Sequence, residues 1–273
     1  MGGLGNQLFQ IFVAMAHALR RGQPFTFSNC ATLTVGAERP TYWETLLKGL
    51  KPFLRDRSLI QLPTYREPHM ESGLIYTPLP PGDNMMLLGY FQSPKYFERE
   101  YDIIMKILDI EKQRVSVAAE LSELLINDPV SIHFRINDYI SMQDAHPLCT
   151  IDYYRQAIER MECVDGVSTP RHYLIFCQSS DVEAVRQHLQ ELGLEKRYTM
   201  VPPELEDWKA LLLMASCSDH IIANSTFSWW AAYFHYRQAA PMVVYPRKWL
   251  GPAAGGAPPP DDLIPLNSGW IGF

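Results

Sequence analysis

The chain has 273 residues, of which 47% are hydrophobic and 12% are aromatic, and this composition excludes a disordered protein. It predicts one large domain or two of ordinary size. A formal charge of −6 without a basic block argues against generic nucleic-acid binding. No apolar run reaches the roughly 18 residues that a membrane-spanning helix needs. Five cysteines without a CxxC pair favour reduced thiols in a cytosol-like compartment.

The first half of the chain predicts helices on either side of a segment that is difficult to assign. A helix is expected over residues 6–21, because apolar side chains recur along one face and Gly22 follows two arginines at its end. Prolines interrupt residues 23–84, which predicts short strands and loops there. Further helices are expected over residues 95–110 and 112–126.

Strands alternate with helices after an Asn-Asp-Pro sequence at residues 127–129, which predicts a domain boundary. This alternation indicates crossover units around a parallel sheet. The predicted strands cover residues 130–134, 173–177, 220–223 and 241–245. The predicted helices cover residues 152–161, 180–192, 207–216 and 225–235. Residues 251–260 are expected to form a loop, and Trp270 to tether the end of the chain.

Polar side chains follow three of the predicted strands. Ligands of open α/β sheets bind outside the carboxyl ends of the strands, so these side chains are expected to line one polar crevice. They are His133, Arg135 and Asp138 at and beyond the end of the first strand, Asp181 after the second, and Asn224, Ser225, Thr226, Phe227 and Ser228 after the third.

The segment after the third strand has the chemistry of a phosphate site. Ser225, Thr226 and Ser228 fall at the start of a helix, where backbone N–H groups and the positive dipole end favour an anion. Arg135 would add a fork of donors and a permanent charge. A structural alternative stays open for each residue alone, since a serine at a helix start is commonly only an N-cap. Likewise, His133 on a short strand is more often a buried imidazole than a catalyst.

The opening glycines resemble part of a dinucleotide-binding fingerprint, but the pattern is incomplete. Leu8 stands where a third Gly or Ala belongs, and no acidic residue follows about 20 positions later. We expect instead a flexible turn that brings the amides of Asn6 and Gln7 to the head of the first helix. Helix capping by these amides is the structural alternative.

Five segments together resemble the α-1,2-fucosyltransferases of glycosyltransferase family 11. They are GGLGNQLFQ at 2–10, GYFQSPKYF at 89–97, HFRINDY at 133–139, HIIANSTFSWW at 220–230 and VVYPRKW at 243–249. Each segment alone is a weak signal. All five occur in the family's order and cover nearly the whole chain, so the combination is specific.

This resemblance implies a GT-B fold of the α/β class, with two Rossmann-like domains that face each other across a cleft. Residues 1–127 would form the acceptor-side domain, residues 128–250 the nucleotide-sugar-binding domain, and residues 251–273 a tail that packs back. Fucose would pass with inversion from GDP-β-L-fucose to the 2-hydroxyl of a terminal β-galactoside. No metal ion and no cofactor would be required, and the sequence has no DxD pair near a strand end.

The resemblance also implies roles for particular side chains. Arg135 would hold the diphosphate of the donor, His133 would approach the nucleotide, and Asp181 would help to fix guanine. The segment from Asn224 to Ser228 would complete the donor site. The residues expected on the acceptor side are Asn6, Gln7 and Gln92.

The general base stays open, with Asp138, Asp144 and His146 as candidates. Ile136 stands where the family has a second arginine, and Asn137 where it has a glycine. A related transferase that uses another GDP-sugar is therefore an alternative. A non-catalytic protein that binds a sugar nucleotide or a glycan is another.

The expected partners are GDP-fucose and a galactose-terminated glycan, with peripheral membrane association and no nucleic acid. The expected location is the cytoplasm or the inner membrane surface for a bacterial enzyme, and the Golgi lumen for a truncated eukaryotic one. The strand that precedes the GGLGNQ turn in the family is missing. Either the chain is truncated at its start or this strand is supplied differently.

Overall fold

The computed structural model describes residues 1–34, 38–56, 62–68, 75–82, 84–164, 167–254 and 262–273. The chain divides into two compact units. The first comprises Met1–Gln113 with Pro260–Pro265, and the second comprises Arg114–Pro259 with Leu266–Phe273. The sequence places the boundary somewhat later, at residue 127. The acceptor-side and nucleotide-binding roles of the two units stay predictions.

The first unit is built on a long amphipathic helix. This helix, α1, covers Leu4–Arg21 and begins slightly earlier than the sequence indicated. It ends at Gly22, which has a φ of 61° and donates its N–H to the carbonyls of the last turn, so the predicted stop is confirmed. The ring of Phe12 on its buried face packs edge-on against Phe97, with the ring centroids 5.3 Å apart.

Short strands follow α1 and pair in twos, as the proline-rich segment predicted. The pairs are β1 (Phe27–Ser28) with β4 (Leu54–Arg55), β2 (Thr32–Leu33) with β3 (Arg39–Pro40), and β5 (Thr64–Arg66) with β6 (Met86–Leu88). The β5–β6 pair is parallel, so both of its strands end at the same edge.

Two helices close this half of the chain, α2 (Tyr101–Leu108) and α3 (Ile110–Glu120). They are shorter than the predicted helices. Asp109 between them adopts the left-handed conformation, with a φ of 56°, and ends α2. The flanking residues Pro94–Tyr96 and Ser122–Leu125 form 3₁₀ turns instead of α-helix.

The second unit contains a six-stranded parallel sheet, which confirms the predicted α/β class. The sheet order is β11 (Tyr198–Met200), β10 (Tyr173–Phe176), β7 (Val130–His133), β12 (Asp219–Ile221), β13 (Val243–Tyr245) and β14 (Ile271–Gly272). The helices of this unit are α4 (Asn137–Ile140), α5 (Ile151–Glu162), α6 (Val182–Glu191), α7 (Asp207–Met214) and α8 (Thr226–Ala239). A small antiparallel pair, β8 (Cys163–Val164) and β9 (Val167–Ser168), follows α5.

The sheet order reverses direction at β7. From β7 the chain adds β10 and β11 on one side, and then returns to add β12 and β13 on the other. Every residue of β7 and β10 is buried, as is typical of central strands covered by helices on both faces. Ligands of doubly wound sheets bind at such a reversal, beyond the carboxyl ends of the strands. The fold therefore places the candidate site where β7 and β12 end.

The end of the chain packs onto the second unit. Trp270 is buried, and its ring centroid lies 6.1 Å from that of Trp229, which confirms the predicted tether. The sequence missed β14, because a two-residue strand beside prolines and glycines carries no periodic signal. Most of the predicted 251–260 loop lies outside the described residues.

None of the described helices is long and apolar enough to cross a membrane. Each of the five cysteines is a free thiol in the structure, and the reducing compartment expected for them stays a prediction.

Candidate functional site

A hydrogen bond joins the first and third predicted site segments. His133 is the last residue of β7, and its Nδ1 lies 2.9 Å from the hydroxyl oxygen of Ser228 in the first turn of α8. Burial, and secondarily the charge of Arg135, lowers the pKa of His133 to about 3. The imidazole is therefore neutral near pH 7 and serves as a hydrogen-bonding partner, which is the structural role weighed from the sequence.

Arg135 follows β7 and is held in a fixed orientation. Its Nε donates to both carboxylate oxygens of Asp138, at 2.9 and 3.0 Å, and its guanidinium lies over the ring of Tyr139, 5.4 Å from the centroid. About a fifth of the Arg135 side chain is exposed, so an anion can reach it from solvent. The Tyr139 hydroxyl donates to the carbonyl of Asn224 at 3.1 Å. Tyr139 therefore contacts both the guanidinium of Arg135 and the segment that leads into α8.

The start of α8 is capped by its own sequence. Ser225 has extended backbone angles, and its hydroxyl accepts the N–H of Phe227 at 3.3 Å. The N-cap alternative is therefore confirmed for Ser225. Thr226 and Phe227 are half-buried and reach the surface, whereas Ser228 is fully buried. The positive end of the α8 dipole thus lies beneath two accessible residues.

Asp181 joins the second predicted site segment to the loop after β7. Its carboxylate is completely buried and accepts the backbone N–H groups of Ile136 and Asn137, at 3.1 and 3.0 Å. The hydroxyl of Ser180 donates to it at 3.2 Å. Asp181 therefore stabilises the loop that carries Arg135, and its contact with guanine stays a prediction. Where the family motif has a second guanidinium, Ile136 donates its backbone N–H to Asp181 and packs its side chain against the hydrophobic core of the unit.

The side chain of Asn224 is hydrogen-bonded to the surrounding loops. Its side-chain nitrogen donates to the carbonyls of Pro147 and Trp249, at 2.9 and 3.1 Å. Its side-chain oxygen faces the thiol of Cys149, 3.5 Å away. The residue is almost fully buried, so its side chain anchors the rim of the site from within.

The three candidates for the general base differ in their surroundings. Asp138 is engaged by Arg135, as described above. His146 stacks on Tyr139 with 5.1 Å between ring centroids, and burial followed by the charge of Arg135 lowers its pKa. Asp144 is exposed, and its backbone carbonyl accepts the N–H of Ala253 at 2.7 Å. Two of the three, Asp138 and His146, therefore lie beside the Arg135–Tyr139 pair.

The amide side chains predicted for the acceptor side lie in the first unit. Gln7 is buried, and its nitrogen donates to the carbonyls of Gly2 and Pro40, at 3.1 and 2.9 Å. The nitrogen of Gln92 donates to the side-chain oxygen of Asn6 at 3.0 Å. The N-cap of α1 is Gly3, which has no side chain to cap the helix, and helix capping by Asn6 or Gln7 stays an alternative. The turn and the GYFQS segment are instead joined to each other.

Two residues with structural importance were missed from the sequence. Tyr139 is the last residue of the HFRINDY segment, and that position was its only signal. Glu67 is a buried carboxylate that contacts the GYFQS segment. It stands in a loop before a proline, where no periodicity or motif marks it.

Across the described ranges, no group of three or more His, Cys, Asp or Glu side chains could hold a metal ion.

Comparison with known proteins gives a family assignment. A family model described as Glycosyl transferase family 11 matches residues 69–247. The Escherichia coli O-antigen biosynthesis glycosyltransferase WbnK is 29% identical over 174 residues, which cover 60% of this chain and 55% of WbnK. An Escherichia coli protein named Alpha-1,2-colitosyltransferase is 30% identical over 179 residues, with the same shares. The chain spans about half the length of these relatives.

A solved structure resembles the chain over most of its length. The alpha-1,6-fucosyltransferase NodZ from Bradyrhizobium, crystallised with GDP, aligns with 84% of this chain and 88% of NodZ. The TM-score is 0.48 and the sequence identity 13%. The family assignment rests on the family model, which matches more than half of the residues. The chain belongs to glycosyl transferase family 11.

Proposed function

We propose that this protein transfers L-fucose, with inversion, from GDP-β-L-fucose to the 2-hydroxyl of a terminal β-galactoside, forming an α-1,2 linkage. One observation carries the proposal within the family. A guanidinium held by Asp138 and Tyr139 is tied to the segment leading into the N-terminus of α8, where the order of a parallel sheet reverses. Such a place suits the diphosphate of a nucleotide sugar.

The chemistry needs stabilisation of the leaving group. Negative charge accumulates on the diphosphate as the bond to the fucose carbon breaks, and prearranged donors stabilise that charge without reorganising. Arg135 supplies a planar fork of donors whose orientation is fixed before the donor binds. The positive end of α8 adds a second stabilising contribution at Thr226 and Phe227. In this proposal no metal ion or cofactor takes part.

The remaining predicted donor residues would act mainly by shaping the site. His133, Asp181, Asn224, Ser225 and Ser228 are all buried and hydrogen-bonded within the protein. We assign direct donor contact to the accessible set and loop positioning to the buried set. The accessible set is Arg135, Thr226 and Phe227.

The acceptor hydroxyl must also lose a proton. An inverting transfer uses a carboxylate or an imidazole for this step, or a dissociative transition state that postpones the need. His146 suits the role because its lowered pKa keeps the imidazole neutral near pH 7. Asp138 and Asp144 stay in competition with it.

A different GDP-sugar is the second candidate donor. Ile136 removes one guanidinium from the family motif, and one relative is named as a colitosyltransferase and not as a fucosyltransferase. A non-catalytic protein would bind GDP without releasing it from a donor.

Release of GDP in the presence of different donors and acceptors tests these alternatives. GDP-fucose with lactose or another terminal β-galactoside should give acceptor-dependent release, whereas GDP-mannose and UDP-galactose should give none. The reaction should proceed equally in the presence of EDTA. Release from another GDP-sugar alone would favour the second donor, and thermal stabilisation by GDP without any release would favour the binding protein.

A further inference from the structure

A buried carboxylate in the first unit takes no part in the chemistry proposed above. Glu67 directly follows β5, and Gly89 directly follows β6, so both stand at the carboxyl edge of a parallel strand pair. The N–H of Glu67 extends this pairing by donating to the carbonyl of Leu88 at 2.9 Å. The equivalent edge of a larger α/β sheet is where ligands bind.

Both oxygens of the Glu67 carboxylate face backbone donors. Oε2 accepts the N–H of Tyr90 at 2.7 Å and that of Phe91 at 2.9 Å, and Oε1 accepts the N–H of Phe91 at 3.0 Å. Only 4% of the residue is exposed. Burial raises the pKa of Glu67 to about 7, although the bonds from Phe91 and Tyr90 act in the opposite direction. A carboxylate so placed reduces stability when ionised, and such groups concentrate at functional sites.

The backbone that Glu67 holds is in an unusual conformation. Phe91 has a φ of 51°, in the left-handed region that bulky residues rarely adopt. Its ring is buried and packs edge-on against Tyr96, with 5.5 Å between centroids. Non-glycine residues keep such strained conformations only where surrounding contacts impose them, and they cluster at binding sites. Here the Glu67 carboxylate and the ring packing impose it.

Gly89 makes this close approach sterically allowed. A Cβ at position 89 would lie 2.4 Å from the Cβ of Glu67 and 2.6 Å from its Oε2. Both distances are far below van der Waals contact. The glycine of the GYFQS segment is therefore explained by the carboxylate that it accommodates.

The turn fixed by Glu67 sets the position of Gln92. Ser93 donates its N–H to the carbonyl of Phe91 at 2.8 Å, so the chain folds tightly around Gln92. The Gln92 side chain then reaches Asn6, with its nitrogen 3.0 Å from the Asn6 oxygen. Both residues are only half-buried. A continuous set of contacts thus runs from Glu67 through Phe91 and Gln92 to Asn6.

We propose that Glu67 is a positioning residue, which fixes the turn at residues 89–92 so that the amides of Gln92 and Asn6 are presented to hydroxyl groups of a sugar acceptor. The identity of the ligand rests on the transferase function proposed above. Amide side chains suit this ligand because each offers both donors and acceptors to hydroxyl groups. Glu67 itself acts through the backbone, since both of its oxygens are engaged there.

The replacement Glu67→Gln tests the proposal, because a carboxamide turns one acceptor oxygen into a donor that faces the backbone N–H groups. The acceptor KM should rise about tenfold, with kcat and the donor KM changing less than about threefold. Amide hydrogen exchange at Tyr90 and Phe91 should become about tenfold faster. Glu44→Gln is the matched control, since Glu44 is an exposed carboxylate of the same unit. It should leave every one of these values unchanged.

A double-mutant cycle with Gln92→Ala separates positioning from a general loss of stability. Gln92→Ala should raise the acceptor KM without changing exchange at Tyr90 and Phe91. If Glu67 acts through Gln92, the double variant should have the KM of the Gln92→Ala variant and not the product of both effects. Additive effects would overturn the proposal. If Glu67→Gln does not fold, Glu67→Asp takes its place, because a carboxylate one methylene shorter also loses the hydrogen bonds from the two N–H groups.

A folded Glu67→Gln variant with unchanged amide exchange and unchanged acceptor KM would overturn the proposal. Failure of the transferase function is recognised separately, by the absence of GDP release from any donor with the wild-type protein. In that case the exchange measurement decides on the positioning role alone. Slow exchange at Tyr90 and Phe91 that is lost in the variant would uphold it, and unchanged exchange would refute it.

Discussion

The two units of this chain hold their candidate site residues in different ways. In the second unit, regular strands deliver Arg135 and the start of α8 to one edge of a parallel sheet. In the first unit, contacts between segments distant in sequence hold Asn6 and Gln92, with Glu67 as a buried anchor. A regular sheet can position charges by topology alone. Where the strands are only two or three residues long, side-chain hydrogen bonds must do so instead.

The pKa values of a buried residue in each unit, His133 and Glu67, are also shifted in opposite directions. Burial lowers the pKa of His133 in the second unit and raises that of Glu67 in the first. Both residues are buried, and in each case burial disfavours the charged form. The comparison shows that one physical cause, burial, shifts the pKa of an acid and the pKa of a base in opposite directions, because it favours the neutral form of each.

Removal of the Arg135 guanidinium is expected to have the largest effect on activity, and it tests the role of the second unit in donor binding. Arg135→Ala should reduce kcat/KM by about 10²–10³-fold, since a main stabilising group for the leaving diphosphate is lost. The fold should persist, because the side chain is partly exposed. Arg186→Ala, at an exposed arginine of the same unit, is the control and should retain full activity. Near-wild-type transfer by a folded Arg135→Ala protein would refute the phosphate assignment.

Gln92→Ala tests the corresponding role of the first unit in acceptor binding. It should raise the acceptor KM by about tenfold while the donor KM stays constant, because a hydrogen bond to the acceptor would be lost. Arg135→Ala should show the reverse pattern and act mainly on the donor. Initial-rate kinetics with each substrate varied in turn measure both patterns. A change in donor KM alone for Gln92→Ala would show that the amide does not serve the acceptor.

Asp138→Asn separates the orientation of Arg135 from proton removal. If Asp138 mainly orients the guanidinium, kcat/KM should fall about tenfold, with the acidic limb of its pH profile unchanged. If Asp138 is the general base, the acidic limb should disappear together with most of the activity. His146→Gln is the companion variant for the competing assignment.

The pH dependence of stability tests the opposite responses of His133 and Glu67. Below pH 6.5 the unfolded chain binds a proton at His133 that the folded chain does not, because the folded pKa is about 3. The free energy of unfolding should therefore decrease as the pH falls from 6.5 towards 3, and this group should have no effect above 6.5. His133→Gln should weaken that decrease. His146, His220 and His235, whose pKa values burial also lowers, contribute to the remainder.

Glu67 should act in the opposite direction over a similar range. Its folded pKa is about 7 against an ordinary value of 4.5, so its stabilising contribution is complete below pH 4.5 and is lost as the pH rises through 7. The difference in urea midpoint between the wild type and Glu67→Gln, followed from pH 4 to 8, isolates this contribution. A constant difference across that range would contradict the raised pKa.

The smallest expected effect separates two neighbours at the start of α8. Ser225→Ala should destabilise the protein by about 1 kcal/mol, since it removes the cap on the Phe227 N–H. Thr226→Ala should raise the donor KM with little change in melting temperature, because Thr226 is accessible and Ser225 is the cap. Identical effects of the two substitutions on both quantities would remove the distinction between the accessible and buried sets.

The sequence predicts the second unit well for a physical reason. Its strands and helices alternate, and each has a local periodicity, so the parallel sheet and the residues at its strand ends follow from nearby positions. The places of Arg135, Asp138, Thr226 and Phe227 beyond the strand ends follow in this way, and their roles stay predictions. The long-range hydrogen bonds that support them could not be predicted. The loop after β7 donates its N–H groups to Asp181, and Tyr139 donates to Asn224, so both contacts join residues distant in sequence.

The first unit shows the limit of local prediction more clearly. The helix α1 follows from the spacing of its apolar residues, whereas β5 and β6 are three residues long and carry no pattern. Glu67 lies more than 20 positions from the N–H groups that it accepts. A lone acidic residue in a loop is ordinarily a solvated side chain, so only the folded backbone reveals its role.

The most direct test of the central claim is the linkage of the product formed from GDP-fucose and a terminal β-galactoside. The wild-type protein and Arg135→Ala are compared after the product of each has been isolated and its linkage assigned by NMR. We expect the wild type to give fucose linked α-1,2 to galactose, and the folded variant to give about 10²–10³-fold less of the same product. Equal yields from both proteins, or a wild-type product with fucose at another hydroxyl, would contradict the account.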